Sequence, residues 1–157
     1  MTFFKRNNIL YKSQYGFREK RSTNQAILEL VSDIVESLEN KKSTLGVFID
    51  LSKAFDTINH EILSNKLYFY GVRGIAHQWI KSYLNDRMQY VYYDGCKSDT
   101  KEMTCGVPQG SILGPLLFII YANNLHHCLD TGYRLYYLQM IQHSTIRPVI
   151  LKSYIVI

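Results

Sequence analysis

The sequence predicts an α+β domain, and three features carry that expectation. A segment from about Thr23 to Leu38 is apolar at helical spacing, and Leu45–Asp50 is an apolar run of strand length. Later helical and strand-like stretches alternate without a repeated βαβ unit. The 157 residues suit one domain or part of a larger one. At 46% hydrophobic and 20% charged, the chain is neither disordered by composition nor fibrous. The apolar run Ile112–Tyr121 is too short to span a bilayer and contains Pro115, so no membrane association is expected. The N-terminus lacks the basic-then-apolar order of a signal peptide, which predicts an intracellular setting with nucleus and cytoplasm undistinguished. Cys96, Cys105 and Cys128 are odd in number and lack CxxC spacing, so neither a disulfide frame nor a zinc site is indicated.

Each element has its own warrant. In the first helix Ala26, Ile27, Leu30, Val31, Ile34, Val35 and Leu38 form one apolar face. Ser22 and Gln25 match a capping box, and Asn40 can end the helix. Leu45–Asp50 reads as a buried strand ending in a carboxylate. A second helix is predicted from about Asn59 to Tyr68, stopping at Gly71. A third, from about Ile75 to Leu84, puts Ile75, Trp79, Ile80, Tyr83 and Leu84 on one side. Gln89–Tyr93, then Asp94-Gly95 and a polar run to Thr104, predict a β-hairpin. Its Tyr90, Tyr92 and Tyr93 can stack on bases, but alternation favours sheet packing. Gly106-Val-Pro-Gln-Gly110 is a turn-rich loop, and Ser111 can cap a helix running to about Leu125. Adjacent His126, His127 and Cys128 have poor spacing for one metal and read as a helix end.

Net charge is +5, but it is unevenly placed. Residues 1–21 hold six bases and one acid, residues 22–130 nine bases and twelve acids, and residues 131–157 three bases and no acid. The basic balance invites a nucleic-acid reading only at the N-terminal end. Asp50 at a buried strand end carries a desolvation cost. Two roles fit it: a hard-oxygen ligand for Mg²⁺ in phosphoryl chemistry, or a strand-end Asp bonded to the following turn.

Val47-Phe-Ile-Asp-Leu-Ser-Lys-Ala-Phe-Asp-Thr-Ile58 closely resembles the first palm motif of reverse transcriptases from jockey-type non-LTR retrotransposons. Gln14-Tyr-Gly-Phe-Arg-Glu-Lys-Arg-Ser-Thr23 resembles that family's fingers motif, and Gly106-Val-Pro-Gln-Gly-Ser-Ile-Leu-Gly-Pro-Leu-Leu-Phe118 its second palm motif. The three occur in the family's order, and the resemblance covers roughly residues 9–135. The resemblance implies a partial right-hand polymerase over residues 1–135, comprising a fingers fragment and the first half of the palm.

The resemblance also implies roles. Asp50 would be the first catalytic, metal-binding aspartate, with the Leu51 carbonyl completing the Mg²⁺ contact. Phe55 matches the steric gate that selects dNTPs over NTPs; without the motif it reads as a core Phe. Gln109 and Gly110 would line the pocket for nucleotide and template base, where glycine permits close backbone approach. The same residues also make an ordinary helix-entry turn. Arg18 and Arg21 would bind template phosphates through the guanidinium fork, or belong to a solvated basic segment. The implied partners are an RNA template, a DNA primer and dNTPs.

Two-metal polymerisation needs further carboxylates, which the family supplies on a Tyr/Phe-Ala-Asp-Asp hairpin. This chain has no Asp or Glu after Asp130. Codons for Tyr137-Leu-Gln-Met-Ile-Gln142, re-read from each third base, can encode Phe-Ala-Asp-Asp-Thr, and the Met140–Ile141 junction forces Asp. Residues 136–157 are therefore expected to be an out-of-frame, unstructured tail. The sequence thus predicts a truncated RNA-directed DNA polymerase domain of a mobile element, inactive as it stands. Two alternatives are a non-catalytic RNA- or DNA-binding module using the basic N-terminal end, and a pseudogene product without function.

Overall fold

The computed structural model describes residues 2–49, 51, 53–128, 133–140 and 145–155. In chain order the elements are helices α1 (Thr2–Arg6) and α2 (Thr23–Glu39), strand β1 (Lys42–Phe48), and helices α3 (His60–Phe69) and α4 (Gly74–Leu84). Short strands β2 (Arg87–Gln89), β3 (Tyr92–Tyr93), β4 (Cys96–Lys97) and β5 (Lys101–Met103) follow. Helix α5 (Leu113–Ala122), a 3₁₀ turn (Leu125–Cys128), and strands β6 (Tyr133–Met140) and β7 (Thr145–Ile155) complete the order. The mixed α+β class is as the sequence predicts. The chain divides into two compact units, residues 1–54 with 122–157 and residues 55–121.

In the first unit, α2 starts where its cap chemistry says it should. The Gln25 N–H donates to Ser22 Oγ at 3.2 Å, and the Ser22 N–H donates to Gln25 Oε1 at 3.0 Å. At the other end the Asn40 N–H donates to Glu36 O at 3.1 Å. The helix packs on β1 and β6. Only part of its predicted apolar face is used. Ala26 is buried and Leu30 and Ile34 pack beside it, whereas Ile27, Val31, Val35 and Leu38 are exposed. The helix has more apolar circumference than one small sheet can cover.

The predicted buried strand is also not buried: Leu45, Val47, Phe48 and Ile49 are all exposed. Strand β1 lies at the edge of an antiparallel sheet of order β1-β7-β6. Its pairing with β7 runs through Gly46↔Leu151 and Val47↔Ile150, and β6 pairs onward through Tyr136↔Val149. Residues 136–140 and 145–155 are thus strand, where the sequence predicts an unstructured tail. The tail is rich in Tyr, Leu, Ile and Val, which suit a pleated ladder, and β1 offers an edge to pair with.

The sequence boundary expected at residue 136 falls inside β6. Tyr136 is buried with Tyr15 and Ala26, and its hydroxyl and the Arg134 guanidinium both donate to the Asp33 carboxylate. Burial first, and Asp33 second, push the Tyr136 phenol up from its ordinary value. The N-terminal segment is fixed to the same unit by Asn123. That side chain accepts from the Tyr11 N–H at 2.8 Å and donates to Ile9 O at 2.8 Å. His126, in the 3₁₀ turn that ends this stretch, stacks on Tyr11 with ring centroids 4.2 Å apart.

In the second unit α5 is the central hydrophobic element, with Leu117, Phe118, Ile119 and Ile120 all buried. Ser111 caps it, accepting the Gly114 N–H at 2.9 Å. Pro115 is its third residue, where the missing N–H costs no helical bond. The helix stops at Ala122, short of the predicted Leu125. Leu63 and Leu67 of α3 and Leu84 of α4 are also buried, but the rest of the predicted α4 face is not. Ile75 and Trp79 are exposed. The predicted hairpin forms as two nested pairs, β2 with β5 and β3 with β4, turning at Asp94 (φ 48°) and Gly95 (φ 74°). Its tyrosines do not pack: Tyr90, Tyr92 and Tyr93 all face solvent.

Two outcomes are expected. Ending the chain at Asp130 removes β7, the strand paired with β1, and β6 beyond it, and Tyr136→Ala removes a buried ring at a cost of about 3 kcal/mol. Urea titration followed by circular dichroism should show loss of the first unit's cooperative transition in the former and a lower midpoint in the latter. Separately, burial in the first place holds the His126 imidazole below its ordinary 6.5, with neighbouring His127 acting in the same direction. The folded state therefore binds this proton less readily than the unfolded chain, so stability should fall as pH drops below about 6.5. His126→Phe keeps the ring stack and should flatten that dependence in urea midpoints.

Candidate functional site

The second unit brings its parts of the two palm-like motifs together. Residues 55–59 form a turn ahead of α3, and residues 105–110 a loop ahead of α5. The loop docks on the turn through backbone pairs: the Gly106 N–H donates to Ile58 O at 2.7 Å and the Val107 N–H to Phe55 O at 2.8 Å. Asn59 and Cys105 form an antiparallel bridge, and Cys105 Sγ donates to Asp56 O at 3.3 Å. His60 Nε2 donates to the Gly106 carbonyl at 2.6 Å.

Close approach here requires glycine. Gly106 has φ +84°, and a Cβ on it would lie 2.9 Å from the Asp56 Cα and carbonyl oxygen. Among side chains, Gln109 Nε2 donates to Asp56 Oδ1 at 2.8 Å. That bond fixes one end of the carboxamide and leaves its oxygen to accept elsewhere. Gly110 has φ +76° and open space where a Cβ would stand, so the backbone there is accessible. Asp56, Arg87, Gln89, Gly106, Pro108 and Gln109 are among the residues lining a cavity of about 390 Å³. Asp56 and Arg87 give that cavity charges of both signs beside amide donors and acceptors.

The predicted residues are treated unequally by the fold. Gln109 and Gly110 are exposed at the loop, as a binding role requires. Phe55 is only 7% exposed, and its ring centroid is 5.2 Å from that of Phe118. Core packing therefore claims most of the ring. Arg18 and Arg21 belong to the first unit and are engaged there. Arg18 Nη1 donates to Tyr11 O at 3.0 Å, and its desolvation lowers the guanidinium pKa. Arg21 lies 5.1 Å from the Tyr15 ring centroid and 3.9 Å from Glu29. Leu51 is half-buried, and Asp50 lies outside the described residues. Asp56 is the residue that sequence reasoning missed. It stands inside the first palm-like motif, so the motif was the available signal.

Among the described residues no group of three His, Cys, Asp or Glu side chains is placed to hold a metal ion. Asp56 is engaged with Gln109, and the sequence offers no carboxylate after Asp130. The described donors do not build a two-ion Mg²⁺ site.

The sequence that carries this loop and turn matches known proteins. The family model described as reverse transcriptase (RNA-dependent DNA polymerase) matches residues 2–144. The chain belongs to that family. Within it, the chain is related to the polymerases of jockey-type non-LTR elements. It is 35% identical over 122 residues to the RNA-directed DNA polymerase from mobile element jockey of Drosophila melanogaster, a match over 73% of this chain and 12% of that protein. It is 37% identical over 123 residues to the probable RNA-directed DNA polymerase from transposon BS of the same fly, over 74% and 13% respectively. The jockey polymerase of Drosophila funebris is 34% identical over 122 residues. The matched stretch is thus only 12–13% of these relatives' lengths.

Gly106→Ala combines a strained positive φ with a backbone clash, and should cost about 2 kcal/mol or more of the second unit's stability. Asp56→Ala, at an exposed hydrogen bond, should cost under about 1 kcal/mol while freeing the Gln109 amide. The Gln109 side-chain resonances in a ¹⁵N–¹H spectrum report the second effect, and urea midpoints the first.

Proposed function

We propose that this chain is a segment of an RNA-directed DNA polymerase from a mobile element, retaining part of a nucleotide and template surface and lacking polymerase activity by itself. The observation that supports the reading most is the docking of the 105–110 loop on the 55–59 turn beside the cavity of about 390 Å³. In this reading Gln109 and Gly110 face nucleotide and template base, Phe55 is the steric gate, and Asp50 with the Leu51 carbonyl would hold the first Mg²⁺. Arg18 and Arg21 contact template phosphates once released from their internal partners. RNA template, DNA primer and dNTPs are the proposed ligands. Among the described residues no helix is long and apolar enough to cross a membrane.

Inactivity follows from charge. Residues 131–157 supply no carboxylate that would hold a second ion against the charge developing on pyrophosphate. We propose that residues 136–157 derive from a frameshift near residues 135–137. In support, the codons of Tyr137–Gln142 re-read from each third base can encode Phe-Ala-Asp-Asp-Thr, which would put the aspartates at about residues 139–141. A second reading, a fragment without function, is favoured by the exposed apolar side chains of α2 and β1.

Primer extension with purified chain, Mg²⁺ and dNTPs should give no product; extension abolished by Asp50→Ala would refute the proposal. Oligonucleotide binding should weaken with salt, and Arg18→Ala with Arg21→Ala should lower the affinity and flatten the salt slope.

A further inference from the structure

Gly106 is buried, so each of its backbone polar groups needs a partner there. Its N–H donates to Ile58 O, and its carbonyl accepts from His60 Nε2 at 2.6 Å, across 46 positions of chain. A carbonyl can only accept, so this bond requires a proton on Nε2 of the His60 ring. The histidine stands on firm ground. His60 is the first residue of α3, Asn59 caps that helix by accepting the Ile62 N–H at 2.9 Å, and Leu63 and Leu67 anchor it in the core. The loop has less to hold it. Gln109 and Gly110 are exposed, and Gly106 and Gly110 both sit at positive φ, where glycine leaves the chain free to take other conformations. His60 lines the cavity of about 390 Å³ together with Asp56, Gly106 and Gln109.

We propose that His60 is a positioning residue, whose Nε2–H holds the Gly106 carbonyl and so sets where Gln109 and Gly110 stand beside the cavity. The proposal rests on the reading that this loop meets nucleotide and template base. It adds a residue that lies two places beyond the first palm-like motif and outside the second. The lever is short. Val107 is buried and Pro108 has its φ fixed by the ring, so little freedom separates the Gly106 carbonyl from Gln109. The other ties of the loop do less to set it by residue type. The Gly106 and Val107 amides bond backbone to backbone, which other side chains at those places would allow. The Gln109–Asp56 bond is exposed, competes with water, and restrains a side chain more than the loop backbone.

The test follows amide hydrogen exchange by NMR in the full chain, comparing Gly106 and Val107 with Ile119 and Ile120 in the core of α5. His60→Phe keeps a ring and removes the donor. It should speed exchange at Gly106 and Val107 about tenfold or more and leave the core amides little changed. His60→Gln puts an amide donor near the place of Nε2 and should restore the slow rates. His77→Phe replaces another half-buried ring of the same unit, one bonded to Ser64, and should leave the loop amides alone. Equal acceleration at loop and core, unchanged exchange, or no restoration by glutamine overturns the proposal. A proton on Nδ1 of the His60 ring, read in long-range ¹H–¹⁵N spectra of the unmodified chain at about pH 8 where imidazole is neutral, also overturns it and needs no variant. Titration with dATP and Mg²⁺ separates this role from the nucleotide reading. It should shift the Gln109 and Gly110 resonances of the unmodified chain, with weaker binding to His60→Phe than to His60→Gln. Equal binding to the two variants overturns the proposal. No shift in the unmodified chain, with the exchange rates as expected, overturns the nucleotide reading and sustains His60 as the residue that places the loop.

Discussion

A glycine without a side chain holds the second unit's site together. The loop at Gly106 can approach the turn at Asp56 only because nothing stands where a Cβ would be, 2.9 Å from that backbone. Every other contact there is downstream of this approach. The Gly106 and Val107 amides reach Ile58 and Phe55, and Gln109 reaches Asp56. The loop leads into α5, whose Leu117, Phe118, Ile119 and Ile120 are buried. A polar loop with few apolar groups of its own is thus anchored through the core that follows it.

The first unit rests on a different device. Strand β1 has an edge that must pair, and β7 supplies the ladder while β6 supplies the buried Tyr136. Asp33 on α2 gathers Arg134 and the Tyr136 hydroxyl, so one carboxylate ties helix to sheet. Strands so formed need only β-favouring residues and a partner edge. A tail of that composition meets both needs whatever the origin of its reading frame.

Local signals were read well because they are local. The capping box at Ser22–Gln25, the Asp94-Gly95 turn and the Ser111 cap each depend on a few neighbouring residues and form as predicted. Burial was read poorly because it depends on what lies opposite. Ile27, Val31, Val35 and Leu38 have flawless helical spacing and still face solvent, and so do Ile75, Trp79 and the hairpin tyrosines. The matched stretch is only 12% and 13% of the lengths of the jockey and BS relatives.

By itself the sequence determined the family, through the order of its three motifs, and the shortage of carboxylates after Asp130. It also determined the types of the elements from α2 to α5, since periodicity and caps act over one or two turns of chain. Tertiary structure alone decided that Asp56 restrains Gln109, that Phe55 packs on Phe118, and that Arg18 and Arg21 have internal partners. It likewise decided that residues 136–140 and 145–155 are strands. The physical reason is the same in each case. The Gln109–Asp56 bond across 53 positions, ring packing, strand pairing and the turn that folds Arg18 and Arg21 back on Tyr11 and Tyr15 are set by proximity in space, which no periodicity along the chain encodes.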